Sequence, residues 1–461
     1  MQYTDPHRKR EPLVSVYITN FNYETYIRSA IESVLSQTYK NIELFIIDDG
    51  STDNSRNIIN KYSSLKNVFI IFQNNKGLNK TNNVALNLCN GEYIIRLDAD
   101  DYFHPDAIYF MVKKITMSKS ALVFPDYFLI DEENNIISQV KRFDFDSEVT
   151  LRDIPAHGAC TLISIDILKK IGGYDESFTC QDGYDIWIKM ISSFTVTNIN
   201  KPLFYYRQHH GSLSSNKFNI LKTRSKIINK YLSSNSYESK STVAFIPIRG
   251  AKHNPKSISM KELNNKKLID WTIDSVLSFS AFDSVIISSD DIHIAKHIES
   301  KYPSVIFHNR SPYHSALNTS LSHSLESSLD EYSINHSLPD NIMLIFIEYP
   351  FREPFYYRMA IDYQNLFGTK IVESVYKSDS VYYKHDGKGI KPIMEEKLRL
   401  ERDVLLVRAG GIRLIDTNYF LNTKKLTSEK MGHIHVDEQT AFCINSDYQL
   451  KIAELIAKNS S

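Results

Sequence analysis

Short apolar runs alternate with helix-like segments along the first hundred residues. The runs span residues 13–18, 42–47, 68–73 and 93–97. Between them, apolar side chains recur at helical spacing in segments 26–37 and 80–88. Continuous apolar runs of this length are typical of strands in a parallel sheet that is covered on both faces. The pattern predicts a doubly wound α/β fold, whose ligands bind beyond the carboxyl ends of the strands.

A polar, serine-rich segment separates this series from a second one. Residues 232–241 have the composition of a linker. Further strand-like runs follow at 243–248, 284–288 and 341–347, with a helical segment at 267–279. At 461 residues the chain is also too long for one ordinary core. We therefore predict two Rossmann-like doubly wound domains, 1–231 and 242–461, joined by the linker 232–241.

The composition is that of a neutral globular protein. The 54 basic and 54 acidic residues cancel, so no net field attracts nucleic acid. No apolar run approaches the roughly 20 residues that span a bilayer, and no signal peptide is evident at the start. The cysteines match no zinc or redox pattern; they are Cys89, Cys160, Cys180 and Cys443. We expect a cytoplasmic protein whose only membrane contact is peripheral, at the inner face of the membrane.

Two carboxylates stand where a metal-bound diphosphate would lie in such a fold. Asp98 and Asp100 come directly after the run at 93–97. Carboxylates one residue apart can ligate one hard divalent cation, Mg²⁺ or Mn²⁺, which would neutralise the leaving group of a nucleotide-sugar. The alternative interpretation is an acidic helix start, because residues 104–106 begin a helix.

Another acidic pair follows the run at 42–47. Asp48 and Asp49 occupy a turn where a carboxylate could bind the base or ribose of a nucleotide. The alternative is a turn that caps the next helix, and both interpretations can hold at once.

Charged side chains later in the first domain complete the candidate site. Asp182 and Asp185 open an aromatic helix, and either could take the proton of an acceptor hydroxyl. Acidic residues are also favoured in a first helical turn by the helix dipole, which is the alternative. Arg207 and His209 follow an apolar strand and could hold a pyrophosphate or complete a metal shell.

Residues 13 to about 215 resemble the family 2 glycosyltransferases, which have the GT-A fold. The matching segments, in chain order, are 14–22, 46–53, 75–78 with Asn83, 97–101, 172–176 with 181–182, and 206–209. The resemblance implies an inverting, metal-dependent transfer of a sugar from a nucleotide-diphosphate sugar. The implied acceptor is a glycan or a lipid-linked saccharide in bacterial surface polysaccharide biosynthesis.

The resemblance also implies roles for individual residues. Asp98, Asp100 and His209 would bind Mn²⁺ or Mg²⁺, and Asp182 would be the base. The implied nucleotide contacts are Asn20, Asp48, Asp49, Lys76 and Arg207.

The chain departs from the family pattern at three places. Gln181 stands where Glu is usual and Gly183 is inserted, so Asp185 remains a rival base. Thr19 and Asn20 replace the usual Pro-Thr. Asn82 stands where many members have Arg, which weakens any expectation of a phosphate contact there.

A basic loop opens the second domain. Arg249 and Lys252 follow the strand at 243–248, and cationic side chains with loop amides could cradle a triphosphate. A basic loop is more often simply solvated. With the segments 265–273, 285–291 and 443–454, this region resembles acylneuraminate cytidylyltransferases, the enzymes also called CMP-sialic acid synthetases. The resemblance implies a nucleotidyltransferase-like fold.

The second domain departs from the family pattern at residues that the family's reaction would require. Cys443 and Asn445 stand where two metal-binding aspartates are expected, and neither is a good ligand for Mg²⁺. The favoured interpretation is therefore a degenerate domain. Two alternatives stay open: a bifunctional enzyme that activates a nonulosonic-type sugar with CTP, and a non-catalytic binding module.

Overall fold

The computed structural model describes residues 11–209, 216–250, 257–315, 319–378, 380–393 and 405–459. The chain divides into two compact units, the first running to Asn216 and the second beginning at Lys217. Across these described ranges, no helix is both long enough and apolar enough to cross a membrane.

The first unit alternates strands and helices. Its strands are β1 (Val14–Asn20), β2 (Ile42–Asp48), β3 (Val68–Phe72), β4 (Tyr93–Asp98), β5 (Tyr102–Phe103), β6 (Leu122–Ile130), β7 (Ile136–Val140), β8 (Leu162–Ser164) and β9 (Val196–Arg207). Its helices are α1 (Ile27–Leu35), α2 (Ser55–Asn60), α3 (Leu78–Leu88), α4 (Ala107–Ser118), α5 (Ile165–Lys170) and α6 (Asp182–Ile191).

The strands of the first unit form one mixed sheet. Its order is β3-β2-β1-β4-β8-β6-β9-β5, with β7 paired to β6. Strands β1 to β4 are parallel, and β8 runs antiparallel to both β4 and β6. Apolar side chains of β1 and β4 pack with those of α1 and α4 in a buried core. The carboxyl ends of β1, β2 and β4 therefore meet at one edge of the sheet.

The second unit begins with a long helix and repeats the alternation. Its helices are α7 (Lys217–Ser234), α8 (Leu268–Leu277), α9 (Ile292–Lys301), α10 (Pro312–Ser315), α11 (Leu321–Ser333), α12 (Phe355–Phe367), α13 (Thr417–Thr423), α14 (Glu438–Ala441) and α15 (Asp447–Asn459). Its strands are β10 (Thr242–Pro247), β11 (Glu262–Leu263), β12 (Lys266–Lys267), β13 (Ser284–Ser289), β14 (Ile306–Asn309), β15 (Asn341–Ile345), β16 (Ile371–Ser378), β17 (Tyr383–His385), β18 (Ile390–Pro392), β19 (Leu405–Asp416) and β20 (Gly432–His435).

The main sheet of the second unit has the strand order of the first. Its order is β14-β13-β10-β15-β19-β16-β20, with β11-β12 and β17-β18 as separate ribbons. When β5 and β7 are set aside, both sheets place their strands third, second, first, fourth, sixth, fifth, seventh in chain order. The directions also agree, because β19 runs antiparallel to β15 and β16 as β8 does to β4 and β6.

The elements that the apolar pattern predicts are present. The runs at 42–47 and 93–97 become β2 and β4, and the run at 243–248 becomes β10. A doubly wound parallel sheet describes only half of each unit, however. The later strands bring in antiparallel pairs, so each fold is a mixed α/β fold.

The boundary between the units also differs from the predicted one. The predicted linker 232–241 includes the end of α7, and the second unit begins before that helix. Leu221 of α7 joins the apolar core that contains Ala244 and Tyr356. Burial of that helix face against α12 assigns residues 217–231 to the second unit, because the apolar contacts outweigh the polar composition of the helix.

Candidate active site

The turn after β2 is organised around Asp48. The side-chain amide of Asn20 donates to Asp48 Oδ2 at 2.9 Å, and Arg56 Nε donates to Asp48 Oδ1 at 2.8 Å. Burial opposes ionisation, but hydrogen bonds from Ser51, Arg56 and Asn20 outweigh it and lower the pKa of Asp48. Asp48 is thus a buried carboxylate that holds the turn, and its contact with a nucleoside stays a prediction.

Asp49 shapes the neighbouring loop. Its Oδ1 accepts hydrogen bonds from the backbone N–H of Lys76 at 2.9 Å and from Gln73 Nε2 at 2.7 Å. Its Oδ2 accepts from the N–H of Gly77 at 2.9 Å. Gly77 has a φ of +84°, which suits glycine at the start of α3. Asp49 therefore fixes the backbone that presents the exposed Lys76 side chain.

The carboxylates after β4 are crowded. Asp98 Oδ1 accepts from Thr19 Oγ1 at 3.2 Å, and Asp100 Oδ2 lies 2.9 Å from His209 Nε2. Burial, together with the charges of Asp100 and Asp182, raises the pKa of Asp98 to about 6 against the opposing effect of Arg96. The site thus concentrates negative charge at the strand ends.

This donor set has the chemistry that a divalent cation requires. Carboxylate oxygens and one imidazole suit Mn²⁺ or Mg²⁺, and a cation would relieve the mutual repulsion that raises the pKa of Asp98. No group of three such side chains within the described ranges is already arranged around a single point. The binding of a cation by Asp98, Asp100 and His209 therefore stays a prediction.

The hydrogen-bond donors of Arg207 bind other residues of the first unit. Its guanidinium donates to the backbone carbonyls of Asp100 at 2.8 Å and Asp131 at 2.7 Å, and to Asn134 Oδ1 at 2.6 Å. Its backbone N–H donates to Asp101 Oδ1 at 2.8 Å. The side chain is fully buried. This geometry favours a structural role in shaping the loop after β4 over the predicted pyrophosphate contact.

Two tyrosines flank His209, and the sequence pattern did not identify them. The ring of Tyr26 stacks on His209 with centroids 6.2 Å apart, and Tyr23 meets it edge-on at 5.8 Å. Burial and the nearby Asp100 raise the pKa of Tyr23. Both side chains lie in the loop between β1 and α1, just beyond the segment 14–22 that carries the family resemblance.

Asp182 is joined to the carboxylates of β4 through one guanidinium. Arg96 Nη1 donates to Asp182 Oδ2, and Arg96 Nε lies 3.0 Å from Asp98 Oδ1. Asn82 Nδ2 also donates to Asp182 Oδ2, at 3.3 Å. The structure thus brings the predicted base and the predicted metal motif together. Arg96 escaped the sequence prediction, although an arginine inside an apolar strand, two residues before Asp98, was a usable signal.

Asp185, the rival base, lies in a different environment. Lys189 Nζ donates to Asp185 Oδ2 at 2.7 Å, one helical turn along α6. Burial raises the pKa of Asp185, while Lys189 and the backbone N–H of Asp175 lower it. Asp185 is therefore engaged in bonds that stabilise the start of α6.

Two glycines allow α6 to approach the carboxylates. A Cβ on Gly158 would lie 2.8 Å from Arg96 Nη2, and a Cβ on Gly183 would lie 2.7 Å from the Cα of Gly158. Real Cβ atoms do not tolerate such distances from backbone atoms. The inserted Gly183 is therefore a close-packing residue that brings Asp182 to Arg96.

Arg249, a predicted nucleotide contact, lies in the loop after β10 of the second unit. Arg249 Nη2 donates to the carbonyl of Thr319 at 3.2 Å, and the N–H of Gly250 donates to Asp290 Oδ1 at 3.2 Å. Lys252 lies outside the described residues. Arg249 is thus held by the protein, and its contact with a nucleotide stays a prediction.

Cys443 lies beside the end of β15. It neighbours Tyr349 and Glu348, and burial raises the pKa of its thiol. The backbone N–H of Ile444 donates to the carbonyl of Glu348 at 2.8 Å. Burial also raises the pKa of Glu348. A thiol held in its neutral form is a poor ligand for Mg²⁺.

Residues 15–172 match the family described as glycosyl transferase family 2. A glucosyltransferase of Escherichia coli is 34% identical over 223 residues, which are 47% of this chain and 85% of that protein. Its name is UDP-Glc:alpha-D-GlcNAc-diphosphoundecaprenol beta-1,3-glucosyltransferase WfaP. A chondroitin synthase of the same species is 34% identical over 229 residues, but they cover 49% of this chain and only 33% of the synthase. The crystal structure of S. aureus TarS 1-349 in complex with UDP-GlcNAc is 18% identical, with a TM-score of 0.41, over 47% of this chain and 66% of that one.

The match to WfaP, over most of that protein, establishes the class. The chain belongs to glycosyltransferase family 2. The family match lies within the first unit, and the chain spans about a third of the length of the chondroitin synthase.

Proposed function

We propose that the first unit transfers a sugar from a nucleotide-diphosphate sugar, with inversion, to a saccharide acceptor that is a glycan or is linked to a lipid. The contact of Arg96 with both Asp98 and Asp182 carries this proposal, because it joins a proposed metal ligand to the proposed base. The similarity to WfaP and to the chondroitin synthase supports surface polysaccharide biosynthesis as the setting. Peripheral contact with a membrane would follow if the acceptor is lipid-linked.

Each part of the site has a task in this reaction. The acceptor hydroxyl forms a bond to the anomeric carbon, the bond from that carbon to the diphosphate breaks, and Asp182 takes the hydroxyl proton. The loop that Asp49 orders presents Lys76 on the donor side, and Asn20 and Asp48 maintain the adjacent turn. Asp98, Asp100 and His209 would hold Mn²⁺ or Mg²⁺, which neutralises the leaving diphosphate when bound.

A panel of nucleotide-sugars tests the proposal on the whole protein. We expect one donor to be consumed in the presence of Mn²⁺ or Mg²⁺ and a saccharide acceptor. Asp100→Asn should lower that rate about 100- to 1,000-fold, because loss of the cation contact removes several kcal/mol of stabilisation. The matched control is Glu348→Gln, at the end of the corresponding strand of the second unit, which should change the rate less than about twofold. Full activity of Asp100→Asn would show that the site is wrongly assigned.

We propose that the second unit is a degenerate nucleotidyltransferase-like domain that has no catalytic activity. The placement of Cys443 beside Tyr349 and Glu348 supports this view. Release of pyrophosphate from CTP in the presence of a nonulosonic acid is the decisive measurement. We expect none above background, and release that survives Asp100→Asn would instead favour the bifunctional alternative.

A further inference from the structure

Arg96 is a buried cation whose charge is balanced by two carboxylates. It stands two residues before Asp98 on β4, and alternate residues of a strand point to the same face. Its side chain is 4% exposed. A buried guanidinium is costly unless it is paired and hydrogen-bonded. Arg96 therefore stays in this position because Asp98 and Asp182 lie on either side of it.

The two carboxylates are held differently. Arg96 Nη1 makes a hydrogen bond to Asp182 Oδ2. Arg96 Nε lies 3.0 Å from Asp98 Oδ1 without a hydrogen bond among the described residues, and Arg96 Nη2 donates to Asp98 Oδ2 at 3.5 Å. The hydrogen bond from Arg96 to Asp98 is thus longer than the one to Asp182. Asp182 is held directionally, as the fork of an arginine does best.

The hydrogen bonds to Asp182 converge on one oxygen. Asn82 Nδ2 donates to the same Oδ2, at 3.3 Å. The amide of Asn82 is oriented in turn, because its Oδ1 accepts from the hydroxyl of Tyr17 at 3.3 Å. Among the described residues, no hydrogen bond reaches Oδ1 of Asp182. That oxygen keeps its lone pairs for another proton donor.

Helix α3 makes this arrangement rigid. Asn79 Nδ2 donates to the carbonyls of Asp175 at 2.7 Å and Phe178 at 2.9 Å. Asn83 Nδ2 donates to the carbonyl of Tyr174 at 2.8 Å. Asn79, Asn82 and Asn83 lie on one face of α3, because residues three and four apart share a face. Their hydrogen bonds hold the segment that leads to Asp182.

We propose that Arg96 is a positioning residue for the transfer reaction. It anchors Oδ2 of Asp182, so that Oδ1 is the oxygen that accepts the proton of the acceptor hydroxyl, and Asn82 reinforces the anchor. The inference rests on the proposed role of Asp182 as the base. It also gives Asn82, which departs from the family pattern, a role on the acceptor side.

The experiment compares Arg96→Met, Arg96→Lys and Asn82→Ala in the full chain, with the donor selected by the panel. Arg96→Met should lower kcat about 100-fold, the size of effect that a 1 Å misplacement can cause, and change the donor KM less than about threefold. Arg96→Lys should recover part of kcat. Asn82→Ala should cost about tenfold, and the double variant should lose less than the product of the two losses, since both bonds end on one oxygen.

Arg413→Met is the matched control for a purely structural effect. Arg413 is also buried and donates to Glu373 Oε2 at 2.6 Å, but it lies in the second unit. Its loss should lower the melting temperature and leave kcat unchanged. If Arg96→Met folds with kcat intact, or if its loss multiplies with that of Asn82→Ala, the positioning role is wrong. If Asp100→Asn also stays active, the proposed function itself has failed.

Discussion

The two units place their main strands in the same order and directions, yet different residues follow the fourth strand of each sheet. In the first unit β4 ends at Asp98 and is followed by Asp100, whose carbonyl accepts a hydrogen bond from Arg207. In the second unit β15 is followed by the buried Ile347 and by Glu348, whose pKa burial raises. The sheet places loops at one edge, and the side chains of those loops decide whether a reaction can be catalysed there.

Each unit also contains a buried arginine after or within this strand. Arg96 is balanced by two carboxylates that face the candidate site. Arg352 instead donates to the backbone carbonyls of Gly410 at 2.9 Å and Gly411 at 3.0 Å. Arg96 thus binds charged side chains, whereas Arg352 donates hydrogen bonds to backbone carbonyls. The comparison shows that a shared strand order can surround buried arginines with different partners.

The largest expected effect separates the two candidate bases. Asp182→Asn should lower kcat about 100- to 10,000-fold, the usual contribution of a general base. Asp185→Asn removes the Lys189 ion pair and should lower kcat less than about tenfold. Steady-state kinetics on both variants decides between them. A larger loss in Asp185→Asn would exchange their roles.

The boundary at Lys217 is tested through stability. Leu221→Ala should lower the free energy of unfolding of the second unit by about 2–4 kcal/mol, the usual effect of a large-to-small change in a core. Transfer activity should stay unchanged. Leu338→Ala is the control, because that leucine is 44% exposed and should cost less than about 0.5 kcal/mol. Thermal unfolding of both variants checks the result.

A buried carboxylate in the second unit should make the stability of the protein depend on pH. Burial raises the pKa of Asp362 to about 6, against the opposing effects of Arg358 and Asn229. The folded protein then binds this proton more tightly than the unfolded chain does. Its contribution to stability is therefore present at low pH and falls as the pH rises from about 4 to 6.

Asp362→Asn should remove this dependence. We expect the variant to be more stable than the natural protein at pH 7.5, by up to about 3 kcal/mol, since each pKa unit is worth about 1.36 kcal/mol. The difference should vanish below about pH 4. Melting temperatures measured from pH 4 to 8 provide the test, and a gap that stays constant with pH would contradict it.

The smallest expected effect concerns the inserted glycine. Gly183→Ala should displace α6 from the backbone of Gly158 and lower kcat about tenfold, because it moves Asp182 away from Arg96. Gly172→Ala controls for backbone strain, since its φ is +88° and a Cβ there would meet nothing within 4 Å. It should affect stability without changing kcat. Equal kinetics in the two variants would rule out the close-packing role of Gly183.

Much of the candidate site could be predicted from sequence, because its acidic residues are local features. Asp48 and Asp98 do end β2 and β4, and both strands lie beside β1. The roles of individual side chains were less accessible. Arg207 looked like an anion ligand, but its donors are taken by carbonyl groups that are about 75 residues away or more in the chain. Sequence spacing carries no information on such long-range partners.

The sequence by itself determined the strands, the acidic positions at their ends and membership of a glycosyltransferase family, because these depend on local pattern and motif. Tertiary structure alone decided that α7 belongs to the second unit, since burial of Leu221 outweighs local composition. It alone joined Asp98 to Asp182 through Arg96, across more than 80 residues of chain. It also gave two dissimilar sequences the same strand order, because packing constrains topology more tightly than it constrains residue identity.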